Sequence, residues 1–131
     1  MGIVKKADLP YLGSSFHFEG ADREDVNISM YLVEAQPGRG APLHLHEYDE
    51  VIVIQEGCSR LVLADSTREA GPGDIVIIKA RTPHGFVNIG PGVLRQTDIH
   101  VNSKICQRNL EPTEVSRKAG LPLPADRPFE A

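Results

Sequence analysis

The sequence predicts an all-β fold, a single-domain antiparallel β-barrel with short irregular termini. Three observations indicate it: short apolar runs rich in Val and Ile, turn residues that separate them at intervals of about ten residues, and little helical periodicity. Such runs between Gly, Pro, Asn and Asp are typical of strands, and their regular spacing is typical of sandwiches and barrels. At 131 residues, the chain has the length of one domain.

Six segments have the composition and length of strands. They are residues 26–35, 50–57, 59–65, 73–80, 84–90 and 93–101. Gly-Pro-Gly turns at 71–73 and 90–92 separate some of them. A short N-terminal strand is expected around Phe16 and Phe18, which alternate along the chain. We expect the barrel core to span about residues 25–105.

The C-terminal part of the chain, residues 107–131, is expected to hold one short helix or an extended tail. Residues 110–120 have helical signals, with Thr113 as a candidate N-cap, basic residues late in the segment and Gly120 as a stop. The prolines that follow favour an extended course over the surface.

The composition argues against several classes of function. A net charge of -4 and a pI near 5.7 do not suit a protein that binds nucleic acid or an anionic membrane. No run approaches the roughly 20 apolar residues of a membrane span. The N-terminus lacks the apolar stretch of a signal peptide, and Cys58 and Cys106 show no C-x-x-C spacing. Two reduced thiols in a cytoplasmic protein are therefore expected.

Residues 41–50, APLHLHEYDE, concentrate histidine and acidic side chains. On a strand, His44 and His46 point to the same face, and Glu50 can join them after a bend. His84 supplies a third imidazole far downstream. Three imidazoles and one carboxylate suit Fe, Mn, Ni, Co or Zn, whereas Ca and Mg prefer oxygen ligands.

The histidines do not fit two common catalytic motifs. The H-E-x-x-H motif of metalloproteases is excluded, because the residue four positions after His46 is Glu50. A nucleophilic hydrolase is unsupported, since the chain has no G-x-S-x-G. A solitary histidine on a strand is more often structural or exposed than a ligand, and we assign His17 and His100 to that class. A purely structural role for the whole cluster stays open at this point.

Two spaced motifs resemble those of the cupin superfamily. The first, G-x5-H-x-H-x3,4-E-x6-G, is matched by Gly38, His44, His46, Glu50 and Gly57. The resemblance covers roughly residues 25–101, most of the chain.

The second cupin motif, G-x5-P-x-G-x2-H-x3-N, is matched by Gly73, His84 and Asn88. Lys79 stands in place of the usual proline and Arg81 in place of the usual glycine. The glycine favours a turn with positive φ, so Arg81 implies either a changed turn or a strained one.

The resemblance implies a double-stranded β-helix, or jelly roll, that holds one divalent ion such as Fe, Mn, Ni or Zn. The implied ligands are His44, His46, Glu50 and His84, whereas Asn88 receives no metal role. Cupins commonly form homodimers by pairing or swapping outer strands, and the predicted N-terminal strand is a candidate for this contact.

The expected function is that of a small-molecule enzyme of dioxygenase or isomerase type. Tyr48, Arg81 and Arg95 are candidates for substrate contact, and Lys79 with Arg81 near the barrel mouth would favour an acidic substrate. One alternative is a non-catalytic cupin that binds or senses a small ligand. Another is a storage-like or structural barrel, or a metal-free epimerase.

Overall fold

The computed structural model describes residues 1–124, so the predicted course of the last seven residues lies outside the described part. Two single-turn 3-10 helices lie at Lys6–Asp8 and Gly20–Asp22. The strands and the α-helix are β1 (Tyr11–Leu12), β2 (Ser15–Glu19), β3 (Ser29–Ala35), β4 (Gly40–Leu45), β5 (Glu50–Glu56), β6 (Ser59–Leu63), β7 (Ser66–Ala70), β8 (Ile75–Ile78), β9 (His84–Asn88), β10 (Leu94–His100), β11 (Arg108–Asn109) and α1 (Glu114–Ala119).

The strands form two antiparallel sheets, which confirms the predicted all-β class. One sheet has the order β1-β2-β3-β10-β5-β8, and the other has the order β11-β4-β9-β6-β7. Strands β3, β4 and β5 alternate between the two sheets, as the chain does in a jelly roll. The arrangement is therefore a two-layer barrel whose interior is lined by both sheets.

The main hydrophobic core lies between the sheets. Every second residue of β10, and of β5 as far as Ile54, is buried, as expected for strands with one face on a core. From the six-stranded sheet the core takes Ile52, Ile54 and Leu94, and from the five-stranded sheet it takes Leu61 and Phe86. Full burial of such side chains contributes about 1.5–3 kcal/mol each, so this core is the main source of stability.

A second, smaller cluster lies under helix α1 on the outer face of the five-stranded sheet. Leu43, Val62 and Val87 from the sheet pack with Ala119 and Leu121. The helix begins and ends as its sequence predicted. Its N-cap Thr113 accepts a hydrogen bond from the backbone of Ser116, and its C-cap Gly120 has φ of 84°.

A register irregularity in β4 turns the first motif toward the interior. Ala41 is opposite Phe86 and His44 is opposite His84, so β4 has one more residue than β9 between these pairs. This bulge lets Leu43 pack under α1 while His44 faces the interior. Leu43 therefore belongs to the outer cluster, while its neighbour His44 belongs to the candidate site.

Candidate metal centre

Three strand ends bring the four predicted donors together. His44 lies near the end of β4 and His46 directly follows that strand, Glu50 begins β5 and His84 begins β9. Each side chain is at most 5% exposed, and one donor atom from each lies within 4.8 Å of the others. The bend expected between His46 and Glu50 is present and places the carboxylate beside the imidazoles.

Backbone carbonyls fix the tautomer of all three imidazoles. Nδ1 of His44 lies 2.6 Å from the oxygen of Pro42, and Nδ1 of His46 lies 2.6 Å from that of Cys106. Nδ1 of His84 lies 2.8 Å from the Thr82 oxygen. Because a carbonyl oxygen only accepts, each Nδ1 must carry the proton and each neutral ring has its lone pair on Nε2. Metal-binding histidines show this same pattern of support.

The Nε2 atoms of two of these rings face the carboxylate of Glu50. His84 Nε2 is 3.0 Å and His46 Nε2 is 3.3 Å from Glu50 Oε1. A lone pair that faces a carboxylate oxygen is repelled unless a proton or a cation lies between them. The geometry therefore fits a shared cation, and the donor set fits a divalent transition metal.

The pKa shifts of His44 and Glu50 also favour a bound cation. Burial and the neighbouring His84 and His46 hold the pKa of His44 well below its ordinary value, so its ring is neutral and available as a ligand. Burial alone would raise the pKa of Glu50, but hydrogen bonds from His46 and His84, which require a proton on Nε2, outweigh this and keep the pKa well below the ordinary range. A metal ion between the same atoms would lower the pKa in the same way. The site thus presents the neutral ring of His44 and one carboxylate anion, Glu50.

Tyr48 lies behind the donors and is absent from the cavity lining within the described residues. Its ring stacks on that of His46 at 4.8 Å between centroids. Its hydroxyl lies 2.7 Å from Nδ1 of His100 and accepts a hydrogen bond of 3.1 Å from the backbone of Cys106. The structure gives Tyr48 a supporting position, which holds His46 and His100 in place.

The two cationic candidates also lie outside the cavity. Arg81 is exposed and forms an ion pair of 3.2 Å with Glu47. Arg95 lies between Glu34 and Glu56 at 2.9 and 3.3 Å. Neither is among the described residues that line the cavity.

The turn that carries Lys79 and Arg81 is strained, which is one of the two alternatives, a changed turn or a strained one, that the sequence left open. Arg81 has φ of 66°, and its backbone N–H donates to the carbonyl of His46 at 2.7 Å. Lys79 is exposed and pairs with Asp49 at 2.9 Å. Both cations of this turn are thus paired with carboxylates at the surface. The backbone hydrogen bond from Arg81 to His46 connects the turn to the segment that carries the donors.

A cavity of about 200 Å³ lies beside the donors, between the two sheets. Its apolar lining includes Val33, Ile52, Leu61 and Phe86. Its polar lining includes His17, Tyr31, Asp98 and His100, which are residues that sequence reasoning left out of the site or assigned to a structural role. The missed signal was the alternation Gln-x-Asp-x-His in β10, which places three polar side chains on one face of a strand.

The fold and the site together define a small two-sheet barrel with an interior site for a divalent metal ion. Residues 31–100, more than half of the chain, match the cupin domain. The chain therefore belongs to the cupin family. A comparison with curated proteins gives no match.

Solved structures of oxalate decarboxylases share this fold. An arginine-to-alanine mutant of the Bacillus subtilis enzyme aligns with a TM-score of 0.69 and 21% identity, over 78% of this chain and 29% of the enzyme. The formate complex of the Lactobacillus farciminis enzyme aligns with a TM-score of 0.72 and 24% identity, over 80% of this chain and 34% of the enzyme. The Bacillus subtilis enzyme has Mn(II) centres. At such identities the likeness shows the fold, and the chain spans only about a third of these enzymes.

Proposed function

We propose that this protein binds one divalent transition-metal ion through His44, His46, Glu50 and His84, and that it is a small-molecule enzyme of the dioxygenase or isomerase type. One observation supports this most: the imidazoles are held with their Nε2 lone pairs toward a buried carboxylate. Without a cation, that arrangement is electrostatically unfavourable.

The chain's own residues supply the binding and positioning for this activity. A bound divalent ion acts as a Lewis acid toward a substrate oxygen or as an electron carrier to O2. The carbonyls of Pro42, Cys106 and Thr82 hold the imidazoles in orientation, and the apolar lining keeps water away from the ligand.

Metal analysis of the purified protein beside His84→Ala and His17→Ala variants tests this proposal. Near-stoichiometric Fe, Mn, Ni or Zn in the wild type and in His17→Ala, with loss in His84→Ala, is the expected result. His17 is a matched control because it lines the cavity but lies outside the donor cluster. Absence of metal from the wild type after reconstitution, or unchanged metal in His84→Ala, would contradict it.

A second candidate, a non-catalytic cupin that binds or senses a small ligand, is favoured by the protonation of the cavity wall. Burial lowers the pKa of His100 to about 4 and raises that of Tyr31. Burial also raises the pKa of Asp98 well above its ordinary range. Burial thus favours the uncharged form of all three groups, which suits hydrogen bonding better than proton transfer. O2 consumption or product formation by the metal-loaded protein would identify the enzyme; ligand binding without turnover would identify the sensor.

We further propose that the protein is a homodimer that pairs through the outer face of its six-stranded sheet. Strand register aligns two apolar rows on this face, and we call it the outer apolar face. It consists of Phe16, Phe18, Met30, Leu32, Val51, Val53, Ile75, Ile77 and Ile99, with Thr97 among them. Ile75 and Ile77 are 64% and 69% exposed. Contiguous apolar patches of this kind mark interaction sites.

A second copy of the chain is the partner that this face fits best. The five strands are four to seven residues long. At about 4.8 Å between strands they span roughly 24 Å across and about 14–24 Å along the strands, which is at the lower end of specific interfaces. Charge at the rim is balanced, because two cations, Lys6 and Arg95, pair with two carboxylates, Glu34 and Glu56. Two copies can therefore meet without like-charge repulsion there.

The cytoplasm stays our proposed location, because Cys58 and Cys106 are free thiols. None of the described helices is long and apolar enough to cross a membrane.

A further inference from the structure

A row of polar side chains crosses the inner face of the six-stranded sheet. His17, Tyr31 and Asp98 lie side by side on β2, β3 and β10. In the adjacent row, His100 is paired with Glu50. Rows two residues apart along a strand are separated by about 7 Å. We call His17, Tyr31, Asp98 and His100 the polar wall; all four line the cavity beside the metal donors.

The polar wall has hydrogen-bonding capacity that the described residues do not use. Asp98 Oδ1 accepts from Gln96 at 2.8 Å, whereas its Oδ2 takes part in none of the hydrogen bonds found within residues 1–124. His100 Nε2 has no hydrogen-bond partner there either, although its side chain is 1% exposed. A buried polar atom without a partner costs about 1–3 kcal/mol, so a polar ligand would be stabilised at this wall.

The charge of the cavity limits what that ligand can be. No Lys or Arg belongs to the cavity lining within residues 1–124. A divalent ion with the carboxylate of Glu50 leaves one net positive charge at the site. A dicarboxylate would exceed it by one negative charge, and its second carboxylate would lie at the Asp98 end of the cavity, where none of the described lining residues is a cation that could pair with it.

We propose that Asp98, with Tyr31 and His100, is the ligand-binding face of the cavity and selects a small uncharged hydroxy-carbonyl or polyol compound over a dicarboxylate. This inference rests on the proposed function, because the metal holds one end of the ligand. The other end forms hydrogen bonds with the Asp98 carboxyl, about 7 Å along the sheet.

Two further features agree with an uncharged ligand. Burial and the negative charge of Glu50 raise the pKa of Asp98, which favours the protonated carboxyl, a group that can donate as well as accept. A span of about 7 Å suits a ligand of roughly six non-hydrogen atoms, which also fits a cavity of about 200 Å³.

Titration of the Co(II)-loaded protein with two probes of equal size tests the inference. Dihydroxyacetone is uncharged and oxalate is a dianion, and both have the same number of non-hydrogen atoms. Binding is followed by the visible absorption of Co(II), for the wild type, Asp98→Leu and Thr97→Val. Thr97 is the matched control because it is the next residue of β10 and bonds to Gln55 on the outer face.

Dihydroxyacetone is expected to bind the wild type more tightly than oxalate does. Loss of a hydrogen bond in Asp98→Leu should weaken it about tenfold, and Thr97→Val should match the wild type. Oxalate affinity should not fall in Asp98→Leu. Asp98→Asn keeps the shape and the hydrogen-bonding capacity, so it should retain most of the dihydroxyacetone affinity.

Several results would overturn the inference: tighter binding of oxalate than of dihydroxyacetone by the wild type, no binding of dihydroxyacetone, or equal dihydroxyacetone affinity in the wild type and Asp98→Leu. A folded Asp98→Asn variant that binds as poorly as the leucine variant would overturn it too. Metal content is measured on the same samples. A wild type that takes up no Co(II) would instead mean that the proposed metal function is wrong.

Discussion

Arg81 occupies a backbone conformation that costs free energy for any residue with a Cβ. Its φ of 66° lies in the left-handed region, and its side chain forms an exposed ion pair with Glu47. Arg81→Gly should therefore raise the free energy of unfolding by about 0.5–1 kcal/mol, after the greater entropy of glycine in the unfolded chain is subtracted. Thermal unfolding measures the change.

Arg81→Ala is the control for this prediction. It removes the same ion pair but keeps the left-handed strain, so its stability should stay close to that of the wild type. A glycine variant no more stable than the alanine variant would show that the turn carries no strain.

The histidine His100 should make the metal-free protein sensitive to acid. Burial lowers its pKa to about 4, compared with about 6.5 in an unfolded chain. Between these values the unfolded state binds more protons, so stability is fully present above pH 6.5 and falls as the pH decreases toward 4. The loss from this group is on the order of 3 kcal/mol.

Urea unfolding of the metal-free wild type and of His100→Gln at pH 7 and pH 5 measures this effect. The variant should lose less stability than the wild type between the two pH values. The comparison is needed because His44, whose pKa burial also lowers, contributes acid sensitivity in both proteins. Equal losses in the two proteins would contradict the assignment to His100.

At the scale of residues, the sequence predicted what depends on local spacing. The convergence of His44, His46, Glu50 and His84 followed from strand parity and from the resemblance to two motifs, and the four donors do lie together. The positions of Tyr31 and Asp98 could not be obtained in this way. They face the cavity because β3 and β10 pair in one register, and pairing between distant strands leaves no local mark on the sequence.

At the scale of elements, Gly85 lets two donor strands approach each other. A Cβ there would lie 2.8 Å from the carbonyl oxygens of Ala41 and Pro42 and 2.6 Å from Leu121. Gly85→Ala should therefore destabilise the protein by about 1–3 kcal/mol and weaken metal binding, because His84 precedes it in β9.

Thermal unfolding and metal titration of Gly85→Ala measure both effects. Gly71→Ala is the matched control, since a Cβ at that position would meet nothing closer than 4.0 Å. Equal behaviour of the two variants would mean that β4 can move away from β9 at little cost.

The elements themselves were predictable where their residues are apolar. All six predicted apolar segments contain a strand, and the short strand around Phe16 and Phe18 is present as β2. Strand β7, with the sequence STREA, was missed because four of its five residues are exposed and it has no apolar alternation. Its strand character comes from pairing with β6, which is a tertiary effect.

At the scale of the whole molecule, the two sheets differ in how their outer faces are covered. Helix α1 and Leu121 cover part of the five-stranded sheet. The six-stranded sheet instead presents the outer apolar face, on which Ile75 and Ile77 are well exposed. This asymmetry is what the proposed dimer explains, because a second copy would remove the exposed apolar surface from water.

Ile77→Lys should convert the dimer to a monomer. Its charge would be buried at the contact, opposite the same face of the second copy, while the folded monomer should tolerate a side chain that is 69% exposed.

Leu123→Lys is the matched control, since Leu123 is also 69% exposed and follows Leu121 on the side of the five-stranded sheet. Light scattering after gel filtration should give the mass of two chains for the wild type and for Leu123→Lys, and of one chain for Ile77→Lys. A monomeric wild type at micromolar concentration, or a dimeric Ile77→Lys variant, would refute pairing through this face.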